Sequence, residues 1–293
     1  MNPIALYLFG ATQFIQPLQN KLNIEIGEIS FHYFPDKEVL VRIKSDVKDR
    51  HVILVANLLN INLNILPLIF TAETARELGA KHITLIAPYL PYMRQDKQFD
   101  SSEGVTSKYF GSLLSNHVDA LITFDPHLHR WKSLSDIYTI PTVVLHATNN
   151  IALWIKEHIP NPFIIGPDME SEQWINRIAQ KVDAPYIILE KTRKGDRDVE
   201  VMLPATQLHQ NRTPVLIDDI ISTGVTMTKS IEAIMKRGWG SPICIGIHAV
   251  FVGNAYQDLL NAGAKKIVTS NTLPHLTNEI DLNDNIIDGI AHI

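Results

Sequence analysis

The sequence predicts an α/β protein built of two doubly wound domains with mainly parallel sheets. Predicted strands and helices alternate along the 293 residues, and several strands are continuous apolar runs of the kind that a parallel sheet buries on both faces. A succession of helix end, glycine and strand also recurs, in E-L-G-A-K-H-I-T-L-I-A-P, K-R-G-W-G-S-P-I-C-I-G-I-H and N-A-G-A-K-K-I-V-T-S. Such units are common in doubly wound sheets, so their recurrence favours a duplicated domain without proving it.

In the first half, apolar periodicity predicts elements in a regular order. The expected strands are residues 4–9, 29–34, 39–43, 52–56, 83–87 and 120–124, and the expected helices are residues 14–22, 61–79 and 105–116. The strands at 29–34 and 39–43 read as a pair joined by F-P-D-K-E.

The pattern restarts at P-T-V-V-L, which places the domain boundary between residues 141 and 142. The second half is predicted to contain helices at 147–158 and 172–182, strands at 163–165, 186–189 and 215–217, and a polar loop, K-T-R-K-G-D-R-D. The domains are therefore residues 1–141 and 142–279, followed by an amphipathic closing helix within residues 280–293.

Composition limits the function classes. Hydrophobic residues make up 45% of the chain and charged residues 19%, which is a globular composition, and the net charge of -5 argues against a nucleic-acid or anionic membrane surface. The single cysteine, Cys244, cannot form an internal disulfide, so a reducing cytoplasm is expected. Because no apolar run approaches the length of a membrane span, a soluble protein is expected.

The most informative stretch is V-L-I-D-D-I-I-S-T-G-V-T-M, residues 215–227. An apolar strand is followed by Asp218 and Asp219 where the strand should end, and then by hydroxyls and a glycine before a helix, which together suit a phosphate. Two carboxylates would repel that phosphate unless a sugar lay between them, so the predicted ligand is a pentose phosphate, aided by a divalent cation. The alternative is a helix cap preceded by acidic turn residues.

Three further polar segments stand at strand ends or between strands: F-P-D-K-E, Y-M-R-Q-D-K and D-P-H-L-H. The carboxyl ends of parallel strands are where ligands bind in such sheets, so these segments are candidates for ligand contact. Taken one at a time, each also fits a plain turn or a surface loop.

With these motifs placed, the chain resembles the ribose-phosphate pyrophosphokinases, which make phosphoribosyl diphosphate from ribose 5-phosphate and ATP. The 215–227 loop alone also resembles phosphoribosyltransferases, but the other three segments resemble ATP and metal elements that transferases lack. The resemblance implies two phosphoribosyltransferase-like domains with the last helix returning to the first. It also implies a homo-oligomer, either a dimer or a hexamer built of dimers.

The resemblance also assigns roles to residues. It implies ATP binding by Phe34, Asp36, Glu38, Arg94, Gln95 and Asp96, with the Phe34 hairpin reaching the site from a neighbouring subunit. It implies ribose 5-phosphate binding by Arg193, Asp218, Asp219, Ser222, Thr223, Gly224, Val225 and Thr226. Lys191 and Arg193 match catalytic cations at the foot of a mobile loop, and His127 and Asp168 match residues that converge on Mg²⁺ from opposite halves. His129, next to this set, is not predicted to be a ligand.

The chain departs from the family pattern at a few positions. Lys37 stands where glycine is usual, Glu170 and Ser171 replace a glycine pair, Ser222 replaces an aspartate and Val225 a second glycine. Two other functions therefore stay open: a phosphoribosyltransferase, and a regulatory homologue of low activity that acts on an active partner.

Overall fold

The computed structural model of the chain describes residues 2–98, 100–194, 198–202 and 211–291, and for residues 190–202 it describes the backbone alone. The chain forms two compact units. The first is Met1–Leu145 with Asn283–Ile293, and the second is His146–Leu282.

The first unit contains a six-stranded parallel sheet in the order β2-β1-β5-β6-β7-β8 and a separate antiparallel hairpin, β3–β4. Its elements are β1 (Ile4–Leu8), α1 (Ile15–Leu22), β2 (Glu25–Ile26), β3 (Ile29–Tyr33), β4 (Val39–Ile43), β5 (His51–Ala56), α2 (Ile61–Glu77), β6 (His82–Ile86), α3 (Thr106–Ser115), β7 (Ala120–Phe124), β8 (Thr142–Leu145) and α8 (Asn283–Ile290). One face of the sheet packs on α2 and α3 to form the core. On α8, Ile286 is buried and Gly289 lies against Leu145 and Ile122.

The second unit repeats this plan. Its parallel sheet has the order β10-β9-β13-β14-β15-β16, and its hairpin is β11–β12. Its elements are α4 (Thr148–His158), β9 (Pro162–Gly166), α5 (Glu172–Val182), β10 (Tyr186–Ile188), β11 (Glu190–Lys194), β12 (Asp198–Met202), β13 (Thr213–Ile221), α6 (Val225–Lys236), β14 (Ile243–Ala249), α7 (Ala255–Asn261), β15 (Lys266–Ser270) and β16 (Asn278–Ile280). All seven residues of β14 are buried, as expected for a central parallel strand.

The two sheets correspond strand by strand. When the hairpin strands are left out and the other strands of each unit are numbered from one to six along the chain, both sheets have the spatial order 2-1-3-4-5-6. The hairpins correspond as well, because each follows the edge strand (β2 or β10) and precedes the third strand (β5 or β13). Each also packs on the helix after that third strand: β4 on α2, and β12 on α6. The α/β class with mainly parallel sheets is confirmed, and the shared topology supports duplication.

Three elements differ from the sequence prediction. The strand in P-T-V-V-L, expected to open the second half, is β8, which pairs with β7 at the edge of the first sheet, so the first unit extends beyond residue 141. In the segment expected to be a polar loop, residues 191–194 lie on β11 and Asp198 begins β12. β13 continues through Asp218 and Asp219 to Ile221, because its neighbour β14 extends alongside it to Ala249.

In the part of the chain that the structure describes, no helix is both long enough and apolar enough to cross a membrane.

Candidate functional site

In the second unit, the turn between β13 and α6 contains the residues predicted to bind a phosphate. β13 ends at Ile221, and Gly224 caps α6 with a left-handed backbone, at φ 73°. A residue with a Cβ would be strained there, which explains the glycine. The neighbouring loop after β14 holds the turn, since the Phe251 and Val252 amides donate to the carbonyls of Ile221 and Ser222 at 2.9 and 3.0 Å. The amides at the start of α6 form a site of the kind that binds anions.

Three carboxyl groups gather beside this loop. Burial raises the pKa of Asp218 well above its usual range, and repulsion by Asp219 and Asp168 raises it further. Asp218 also accepts a hydrogen bond from the Asp219 amide at 3.0 Å. Because burial and the neighbouring acids disfavour charge on Asp218, the cluster suits a partner that donates hydrogen bonds or carries positive charge, such as sugar hydroxyls or a divalent cation.

The glycine pair replaced by Glu170 and Ser171 is compensated locally. Ser171 is 3% exposed, and its hydroxyl donates to the Asp168 carbonyl at 2.6 Å. A Cβ on Gly166 would lie only 2.4 Å from the Ser171 Oγ, so the glycine at the end of β9 makes room for this serine. The serine therefore fills space beneath the Asp168 turn and leaves Glu170 exposed.

The predicted catalytic cations lie on the hairpin of the second unit. Lys191 pairs with Val201 and Arg193 with Val199 in the antiparallel register of β11 and β12. Their side chains are outside the described part of the structure. Their predicted role therefore rests on the family resemblance.

In the first unit, the turn between β3 and β4 presents the residues predicted to bind adenine. Phe34 is 41% exposed, and Asp36 and Glu38 are exposed beside it. The turn is closed by hydrogen bonds between Phe34 and Glu38 and from Lys37 to Phe34. Lys37 has a φ of 74°, so this position has the left-handed backbone that glycine usually supplies.

A second loop of the first unit, after β6, presents Arg94 and Gln95. Both are exposed, and they lie between two buried residues, Met93 and Asp96. The Asp96 carboxylate accepts two hydrogen bonds from Arg130 Nη1, at 2.8 and 3.1 Å, and its side chain is 1% exposed. This loop contains three residues predicted to contact ATP. Asp96 is buried and ties the loop to the loop after β7 through Arg130, whereas Arg94 and Gln95 are exposed.

The loop after β7 carries two histidines. His127 Nδ1 and His129 Nε2 are 3.0 Å apart, and the two rings meet edge to face. Asp125, at the start of the loop, has a φ of 30°, and its amide donates to the Leu145 carbonyl at 3.0 Å. Such strain in a non-glycine residue is concentrated at functional sites.

Sequence reasoning missed two features of this loop. It passed over His129, although a histidine two residues from a predicted ligand is a visible signal. It also missed Arg130, whose partner Asp96 is 34 residues away in the chain. No local sequence pattern indicates an ion pair between residues so far apart in the chain.

Comparison with known proteins identifies the family. A model described as the N-terminal domain of ribose phosphate pyrophosphokinase matches residues 8–117, and one described as a phosphoribosyl transferase domain matches residues 133–283. The chain is 33% identical over 261 residues to the ribose-phosphate pyrophosphokinase of Saccharolobus solfataricus, covering 88% of this chain and 89% of the relative. It is 32% identical over 286 residues to that of Sulfolobus acidocaldarius, covering 96% and 97%.

Among solved structures, phosphoribosylpyrophosphate synthetase from Mycobacterium smegmatis has the same fold. Its TM-score is 0.86 over 99% of this chain and 98% of that chain, at 20% identity. The fold and the sequence matches agree over nearly the whole length. The chain therefore belongs to the ribose-phosphate pyrophosphokinase family.

Proposed function

We propose that the protein transfers the diphosphoryl group of ATP to the C1 hydroxyl of ribose 5-phosphate, giving 5-phosphoribosyl 1-diphosphate and AMP. One observation carries the proposal: the same chain has a loop suited to a pentose phosphate and two exposed segments suited to a nucleotide. The first is the turn at Gly224 with its acidic neighbours, and the others are the Phe34 turn and the Arg94 loop. A transferase of the same fold would need only the first.

In the second unit, residues 222–226 would bind the 5-phosphate through backbone amides and hydroxyls at the start of α6. Asp218 and Asp219 would accept hydrogen bonds from the ribose hydroxyls, which orients the C1 oxygen for attack on the β-phosphorus. Hydroxyl donors offset the repulsion that raises the pKa of Asp218. Lys191 and Arg193 would stabilise the negative charge that develops on the transferring group and on the departing AMP.

In the first unit, Phe34 would stack on adenine while Asp36 and Glu38 accept hydrogen bonds from its amine. Arg94 and Gln95 would contact the nucleotide, since both are exposed on a loop that the ion pair between the buried Asp96 and the exposed Arg130 holds in place.

The donor set fits a divalent cation. Burial and the neighbouring carboxyl groups of Asp219 and Asp168 raise the pKa of Asp218, and a cation bound beside it would offset this cost. Asp168 and, in the first unit, His127 are the proposed Mg²⁺-linked residues. Bound Mg²⁺ would neutralise phosphate charge and polarise the β-phosphorus.

The test is a direct assay. The pure protein is incubated with ATP, MgCl₂ and ribose 5-phosphate, and AMP and phosphoribosyl diphosphate are measured, with the sugar phosphate omitted as control. AMP formation that depends on ribose 5-phosphate is expected. Absence of AMP over a range of cation and phosphate concentrations would contradict the proposal and favour a regulatory homologue. Consumption of supplied phosphoribosyl diphosphate with a nucleobase would favour a phosphoribosyltransferase.

We also propose a homo-oligomer in which Phe34 meets nucleotide across a subunit contact. Its support is the exposed aromatic tip, which is 41% accessible in the isolated chain, together with the family resemblance. Mixed oligomers test it: if Phe34→Ala and Lys191→Ala subunits are unfolded and refolded together, sites that combine an intact Phe34 with an intact Lys191 should restore activity. A mixture no more active than the sum of its parts would contradict action across subunits.

The proposed location is the cytoplasm. Cys244, the one cysteine of the sequence, is fully buried, and burial raises the pKa of its thiol to about 12, so it behaves as an inert core residue. Fractionation of cells that produce the protein would test the location.

A further inference from the structure

The histidine pair on the loop after β7 has the spacing of two ligands on one metal ion. His127 Nδ1 and His129 Nε2 are 3.0 Å apart. Two metal–nitrogen bonds of about 2.1 Å that meet at a right angle place the nitrogens about 3.0 Å apart, whereas a tetrahedral angle places them about 3.4 Å apart. The nitrogen spacing therefore suits two adjacent positions of an octahedral ion, and the rings, whose centroids lie 3.7 Å apart, would turn outward to aim both nitrogens at it.

The loop that carries the pair is held from several sides. Arg130, next to His129, forms the ion pair with the buried Asp96, and the Trp131 indole N–H donates to the Ser107 hydroxyl at 3.3 Å. On the other side, Asp125 keeps a strained backbone through its hydrogen bond to Leu145. A metal site requires ligands fixed in this way, because the ordering cost is then met before the ion binds.

We propose that His129 joins His127 as a second nitrogen ligand, so that this loop holds a first-row transition ion such as Ni²⁺ more tightly than Mg²⁺. Imidazole nitrogen suits Ni²⁺ and its neighbours, whereas Mg²⁺ prefers oxygen ligands in an octahedral shell. Water or phosphate oxygens would complete the coordination. The affinity order expected from imidazole ligation is Mg²⁺ < Mn²⁺ < Ni²⁺. The Mg²⁺ role of His127 belongs to the proposed function, and the binding by His129 is independent of it.

The experiment measures binding of the metal alone to the substrate-free protein, without an affinity tag, by isothermal titration with Ni²⁺, Mn²⁺ and Mg²⁺. The chain has 12 histidines, so a control is needed for Ni²⁺ binding by histidines outside the loop. His158→Gln, which alters an exposed histidine on α4, is that control. The wild-type protein and this control should each bind one Ni²⁺ more tightly than Mg²⁺.

His129→Gln should lower the Ni²⁺ affinity by at least about tenfold, because loss of even an outer-shell partner costs about 10- to 100-fold. The Mg²⁺ affinity should change little. If His129 only hydrogen-bonds to His127 and orients it, the variant would weaken both ions alike, so the ratio of the two affinities separates ligation from support. His129→Asn provides a second variant should the first fold poorly, with circular dichroism as the check.

An unchanged Ni²⁺ to Mg²⁺ affinity ratio in both variants would overturn the proposal, as would a wild-type protein that prefers Mg²⁺. Because no substrate is present, failure of the phosphoribosyl diphosphate assay would leave this result unaffected, and the two proposals fail separately.

Discussion

Lys37 adopts a backbone that strains an L-residue, with a φ of 74°. Lys37→Gly should therefore raise the free energy of unfolding by up to about 1 kcal/mol, since glycine removes the strain but adds chain entropy to the unfolded state. Urea unfolding would measure it as a higher midpoint at unchanged slope. Lys48→Gly is the matched control, because Lys48 is an exposed turn lysine outside the left-handed region and its replacement should not stabilise. An equal effect of both changes would contradict the explanation.

Asp218 gives stability a pH dependence of a definite sign. Its pKa is raised in the folded protein, so the folded state binds this proton more tightly than the unfolded chain does. Stability should therefore fall as the pH rises above the ordinary aspartate pKa of about 3.9, until the raised pKa is passed. In buffer with a chelator, Asp218→Asn should be more stable than wild type at neutral pH, and this advantage should vanish at low pH.

Urea unfolding between pH 4 and pH 8 would measure this difference. Glu232→Gln, which alters an exposed acid on α6, should show no comparable trend. An Asp218→Asn advantage that is constant with pH would show that charge on Asp218 is not its source.

Lys191→Ala tests the proposed catalytic cation. Loss of one preorganised charge contact costs about 2.7 to 4 kcal/mol in the transition state, so turnover should fall by a factor on the order of a hundred to a thousand, with KM values changed much less. Steady-state kinetics with both substrates would measure it. Lys194→Ala, on the same strand, is the control and should keep normal turnover. If the KM for ribose 5-phosphate rose in proportion to the lost rate, Lys191 would be a binding residue instead.

At the scale of elements, the ion pair of Asp96 and Arg130 joins two loops at the carboxyl edge of the first sheet. Arg130→Met would leave a buried carboxylate without its cation. Because the Arg130 side chain is 39% exposed, solvent screens part of the attraction, and we expect a loss of about 1 to 2 kcal/mol in unfolding free energy. The KM for ATP should rise as well, since the loop that presents Arg94 and Gln95 loosens.

Denaturant unfolding and ATP kinetics would measure these effects. Lys132→Met, an exposed neighbour, should change neither. Adding Asp96→Asn to Arg130→Met should recover part of the stability, because the buried charge is then removed. Strict additivity of the two changes would contradict a direct coupling.

The sequence predicted strands and helices correctly where the apolar residues follow one clear period, and it predicted them wrongly where they do not. The central strands and long helices were placed to within a few residues because their apolar patterns are strong. The hairpin strand β11, with sequence E-K-T-R-K, was read as a loop because its charged residues hide the alternation of a strand. β8 was assigned to the wrong sheet, since an apolar strand carries no signal of the neighbour with which it will pair.

The candidate site was predictable to a similar degree. Loop chemistry at strand ends marked residues 218–226 and the Arg94 loop, since these signals are local. The bond of Ser171 to Asp168, the Asp96–Arg130 pair and the spacing of His127 and His129 depend on side-chain placement, which single residues do not reveal.

At the scale of the whole molecule, the chain returns to its first unit at the end. α8 packs on α1, β7 and β8, and Ile286 is 1% exposed there. Ile286→Ala should therefore cost about 2 to 5 kcal/mol, and the loss should fall on the first unit. Hydrogen exchange would show it as faster exchange in β7 and β8 with the second sheet unchanged, and the exposed change Asp288→Ala should stay within about 0.5 kcal/mol of wild type. Equal loss of protection in both sheets would contradict this.

Because the two hairpins occupy matching positions, they are places where the sequences of the two units can diverge. Along the chain, each hairpin lies between an edge strand and the next strand of the parallel sheet. Residues can therefore be inserted or deleted within the hairpin without shifting the register of any strand in that sheet. If the two units arose by duplication, selection could act on the two hairpins separately. One copy has kept an exposed aromatic turn and the other a run of lysine and arginine, while the shared strand order has stayed the same. The two units thus differ at their hairpins while the strand order of their parallel sheets is the same.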